Sequence, residues 1–125
     1  MRQRTVVGAS AWVEIIVGAL FLAAPDVLCL LVFGVKPEAI AMPLGRFAGI
    51  ALIALGITCL HSRDTGSRRN VALDLFAFNV GVAILFVWVG VTTALHGILL
   101  WPAVILHAII GSALLPHLLA KDSAE

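Results

Sequence analysis

Four stretches of this chain, residues 6–24, 40–60, 71–95 and 98–120, stay apolar for about 20 residues each, the length a helix needs to cross a hydrocarbon core of roughly 30 Å. The composition leaves no competing class: of 125 residues, 62% are hydrophobic and only 12% charged, with a mean hydropathy of +1.11. A soluble domain of this size needs far more charge to cover its surface. The sequence therefore predicts an all-α fold, an integral membrane four-helix bundle with up-down topology, forming a single transmembrane domain over residues 1–125. The N-terminal stretch has the basic start and apolar run of a signal peptide, but its apolar part is long and interrupted by Glu14. It is read as a membrane helix that also serves as the insertion signal.

Between the first two spans lies PDVLCLLVFGVKPEA, whose apolar part, about residues 26–33, is too short to cross. Pro25 can open a helical turn, Asp26 favours a helix N-terminus, and Gly34 and Pro37 break the segment again. An interfacial or re-entrant piece is expected there. The connection HSRDTGSRRN is polar and basic, whereas the last one, around LHGILLWP, is short enough to make the third and fourth spans an antiparallel hairpin. Four crossings put Arg2, Arg4, Arg63, Arg68, Arg69 and Lys121 on one side and Lys36 on the other. By the positive-inside rule both termini are expected in the cytoplasm, with Trp88 and Trp101 near the outer interface.

Ionisable groups inside a membrane are expensive and need partners, so they are the first candidates for a site. At about 1.5 Å of rise per residue, Glu14, Asn79 and His107 each fall roughly 13 Å into their helices, and Arg46 about 10 Å. Each span thus brings one polar group toward a central layer. Glu14 and Arg46 have opposite charges, and a guanidinium suits a buried carboxylate because the pair can be planar and bidentate. The expected site is Glu14 paired with Arg46, with Asn79 and His107 meeting a ligand's polar end and Trp12 beside them. Buried polar groups also lock helices together without any ligand, and both readings of this layer stay open. Ala11, Glu14 and Gly18 share one face of the first span, and Gly45, Gly49 and Gly56 share one on the second, the first two as GxxxG. Such faces mark close helix contact, within the bundle or between subunits of a homo-oligomer.

His61 and His117 sit near the same end of the bundle with Asp74, which raises a metal or haem reading; their spacing carries no ligand signature, and interfacial side chains fit equally. Cys29 and Cys59 form no CxxC or disulfide framework. No nucleophile–base constellation or phosphate loop is present, and no nucleic-acid partner is expected. Acid–base enzyme chemistry by Glu14, His107 and Arg46 remains open.

The segment LGRFAGIALIALGITCLHSR, an arginine entering a Gly/Ala/Leu helix that ends in a basic loop, resembles small bacterial four-helix membrane proteins of the DoxX-like and DUF4345-like kind. The resemblance extends to the proline ending the first span and the glycine before the second. It implies a four-helix bundle and, for some DoxX-like proteins, quinone-coupled redox chemistry. The leading expectation, with the resemblance, is a small multi-pass protein of a bacterial inner membrane that binds a lipophilic small molecule, quinone-like or isoprenoid-like, beside the polar layer. The alternatives are an accessory or scaffold subunit of a larger membrane complex, and a proton-coupled small transporter or channel using Glu14 as carrier.

Overall fold

A computed structural model describes residues 2–62 and 68–119, and all of its regular structure is helical. Five helices follow one another: α1 (Gln3–Ala23), α2 (Pro25–Phe33), α3 (Ala41–Ser62), α4 (Arg68–Thr92) and α5 (Leu100–Leu119). Four of them, α1, α3, α4 and α5, are long and apolar enough to cross a membrane, so the chain has the build of a multi-pass helical membrane protein. Much of the surface is apolar, with Phe47, Ile50, Ile57, Ile84, Val91 and Ile105 all exposed, as side chains facing lipid tails would be.

The helix ends follow from local chemistry. Pro25 lacks an N–H and pushes the preceding residue out of the helical region, and Ala24 accordingly takes φ −144°, ψ 66° and closes α1 with its N–H on Leu20 O at 2.8 Å. The same proline opens α2 in its first turn, with Asp26 behind it. The segment expected to lie at the interface is thus a helix of its own, ended by Gly34 in the left-handed conformation at φ 76°, its N–H on Leu30 O at 2.9 Å. α4 stops at Thr92 and not near residue 95. Thr92 and Thr93 donate their hydroxyls to Trp88 O and Val89 O at 2.6 and 2.7 Å, while the Leu95 N–H turns back onto Thr93 Oγ1 at 3.1 Å. Pro102 falls in the first turn of α5, where no hydrogen bond is lost, and Pro116 lies near its end.

The bundle is two tight antiparallel pairs set loosely against each other: α1 packs along α3 and α4 along α5, with far fewer contacts between the pairs. Glycines let α1 and α3 approach at backbone distance. A Cβ on Gly49 would lie 2.6 Å from Gly18 O and 2.8 Å from Leu22 N, and one on Gly56 would lie 2.6 Å from Ala11 O. Two dry clusters join the pairs at opposite ends. Val6, Val7, Ala11, Cys59, Val71, Ala72, Leu75, Ile110 and Leu114 form one, at the end where α1 and α4 begin. Leu28 and Val32 of α2 form the other with Leu100, flanked by Val17, Phe21, Phe33 and Phe86.

Candidate functional site

The space between the two dry clusters is a cavity of about 310 Å³. Its walls are apolar and partly aromatic, including Val17, Phe21, Leu52, Phe78, Val82 and Phe86, and α2 contributes Leu28 and Val32 at the outer end. Two polar side chains line it, Glu14 from α1 and His107 from α5. Each pair of helices therefore supplies one polar group to an otherwise greasy chamber.

Glu14 is 1% exposed, and its Oε1 has no hydrogen-bond partner among the described residues. Its place in the chain explains why it faces inward: Ala11, Glu14 and Gly18 occupy the stripe of α1 that is buried, together with Val7 and Ser10. A group that can accept hydrogen bonds, enclosed without a donor, is costly in hydrocarbon. The opposite holds for Asn79, which is 0% exposed and engaged on both sides. Its Nδ2 donates to Leu75 O at 2.8 Å and lies 3.5 Å from Ser10 Oγ, and its Oδ1 is 2.8 Å from His107 Nδ1. The His107 ring is further held edge-on by Phe78 and Phe86, whose centroids lie 6.1 and 6.2 Å away.

The Leu75 carbonyl can only accept, which fixes the orientation of the Asn79 amide: its NH₂ faces Leu75 and its oxygen faces His107. The hydrogen-bond network then assigns the proton of His107 to Nδ1, because an amide oxygen cannot donate to it. In the neutral ring, Nε2 is left as a bare acceptor. The histidine makes no other hydrogen bond among the described residues.

Of the sequence-predicted site residues, Asn79 and His107 are hydrogen-bonded and Glu14 lines the same cavity as His107, whereas Arg46 and Trp12 do not join them. Arg46 is exposed and makes no ion pair with Glu14. The cause is the register of the glycine contacts: Gly45 packs on Pro25, which places Arg46 beside the end of α1, while Glu14 lies near the level of Gly56. Ten residues of helix separate those levels, about 15 Å. The expected charge pair is thus corrected to a Glu14 without a partner among the described residues and an exposed arginine beside the end of α1. Trp12 is 55% exposed and is not among the residues lining the cavity, because it sits beside the buried stripe of α1 and not on it. Asn79 stands behind His107 and does not itself reach the cavity wall.

Ser10 was not expected in this layer, although its position one turn before Glu14 on the same helix face is a readable signal. His61 is exposed and His117 half-buried; among the described residues, no group of three or more His, Cys, Asp or Glu side chains could hold a metal ion. Cys29 and Cys59 are free thiols. Of the basic residues expected on one side, Arg63 and Lys121 lie outside the described residues, while Arg2, Arg4 and Arg69 lie at the end where α1 and α4 begin. No protein-family model, curated protein or solved structure matches this chain.

Proposed function

We propose that this chain is a small multi-pass protein of a bacterial inner membrane, both termini in the cytoplasm, that holds a lipophilic small molecule of quinone-like or isoprenoid-like character between its two helix pairs. One observation carries the reading: Glu14, which has a fully buried carboxyl oxygen without a partner among the described residues, lines an apolar cavity together with a histidine. A purely structural clamp would satisfy its own polar atoms, as Asn79 does with Leu75 and His107. Glu14 does not, and a polar ligand head at that point would complete it. The cavity volume of about 310 Å³ falls at the lower end of the range for small-molecule sites. The arginines near the start of α1 and α4, against Lys36 at the other end, support the orientation.

Native mass spectrometry of the protein released directly from its own membranes tests this reading. The expected result is one small lipophilic molecule with a polar head per chain, lost in Ala103→Phe, which puts a ring into the cavity. A chain that leaves the membrane empty, or an Ala103→Phe protein that retains the same molecule at full occupancy, would overturn the proposal.

A further inference from the structure

The two polar groups that line the cavity each lack a partner on that side. Glu14 Oε1 is buried with no hydrogen-bond partner among the described residues. His107 commits its one ring proton to Asn79 and leaves Nε2 as an acceptor. A ketone or quinone carbonyl brings only further acceptors, so it leaves Nε2 unpaired whatever the state of the carboxyl group. An ether or a hydrocarbon end is no better. An ammonium brings three N–H donors and also requires a buried ion pair in hydrocarbon. A hydroxyl is the simplest head that fits: it donates to His107 Nε2 and accepts in return from the carboxyl group of Glu14 in its protonated form.

The walls describe the rest of the molecule. A dry cavity of about 150 Å³ is known to hold benzene, so 310 Å³ takes an aromatic ring and the first carbons of a tail. Phe21, Phe78 and Phe86 offer faces and edges to such a ring. The exposed members of the lining, Leu99, Pro102 and Leu106, belong to the final connection and α5, which gives a tail a way out toward lipid on that side. The Asn79–His107 bond has its place in this arrangement. By holding the imidazole proton on Nδ1, Asn79 acts as a positioning residue that makes the cavity side of His107 an acceptor.

We infer that the ligand is a hydroxylated aromatic lipophile, a phenol or hydroquinone with an apolar tail, bound through its O–H by Glu14 and His107. This rests on the reading of the cavity as a ligand site. The test uses the unaltered full chain in lipid nanodiscs and four aromatic probes of similar size: 4-nonylphenol, its methyl ether, 4-nonylacetophenone and 4-nonylbenzylamine. Affinities are measured by titration calorimetry and referred to the probe's concentration in the lipid. The phenol is expected to bind roughly 10- to 100-fold tighter than the ether or ketone, since each of those leaves a buried acceptor unmet. In Asn79→Leu that preference should shrink, because a proton free to move to Nε2 lets the ether and the ketone accept from His107. A ketone or amine that equals or exceeds the phenol overturns the assignment of the head group and leaves the cavity reading standing. If no probe binds the native chain better than Ala103→Phe, both fall.

Discussion

His107 Nδ1 lies 2.8 Å from Asn79 Oδ1, a hydrogen bond that ties α5 to α4 at the floor of the cavity. Because Asn79 Nδ2 is held by Leu75 O at 2.8 Å, the bond has one direction, from imidazole to amide. In protein carrying ¹⁵N-labelled histidine, the His107 ring should therefore show a protonated Nδ1 and a bare Nε2. Asn79→Leu, close in size but without an acceptor, should abolish that pattern. An unchanged tautomer in this variant would show that something other than Asn79 sets it.

Glu14 separates the ligand and clamp readings by the sign of a stability change. Oε1 has no partner, so replacing Glu14 with Leu removes a buried group whose needs are unmet and keeps most of its volume. Such a change should stabilise the ligand-free protein, by roughly 1–3 kcal/mol. Thermal unfolding in detergent, after the bound lipophile has been stripped, measures it. Clear destabilisation by Glu14→Leu would mean the carboxyl group has a partner holding the helices together.

These two residues also mark where the sequence was readable. Spans and depth follow from hydropathy and rise per residue, and with them the meeting of Glu14, Asn79 and His107. What depth cannot supply is register. Two charges counted from opposite ends of two helices come out nearly level until the small-residue contacts slide one helix along the other, and Gly45 on Pro25 carries Arg46 away from Glu14. Nor does depth give azimuth: Trp12 is only two residues from Glu14 yet looks outward. The interfacial stretch after the first span was legible from Pro25, Asp26 and Gly34. Its use as the outer wall of a cavity was not, because that depends on contacts with Leu100 and Phe86, far along the chain.

The register itself can be tested. A Cβ on Gly49 meets Gly18 O at 2.6 Å and Leu22 N at 2.8 Å, both backbone atoms that cannot swing aside, whereas one on Gly81 meets nothing within 4 Å. Gly49→Ala should push α1 and α3 apart and lower stability by about 1–3 kcal/mol. Gly81→Ala should leave it unchanged or slightly higher, because alanine favours the helix by about 1 kcal/mol. Unfolding of the two variants in mixed detergent, side by side, decides the matter, and equal stability would contradict the close approach.

The outer end of the cavity depends on a backbone clasp. Gly97 donates its N–H to Val32 O at 2.9 Å and Leu99 donates to Leu31 O at 2.8 Å, so the connection before α5 holds the end of α2 without any side chain. This is possible only because residue 97 has none: a Cβ there would collide with the backbone of Leu31 and Val32. α2 in turn brings Leu28 and Val32 to the cavity wall. Gly97→Ala should break the clasp while leaving the four long helices intact, since the contact lies outside them. Hydrogen exchange should then rise across residues 25–33 with little change in α1 or α4, and the co-purifying lipophile should be retained less well. If exchange in α2 stays at the native level, that helix is held by its packing against Leu100 and Phe86 alone, and the clasp is dispensable.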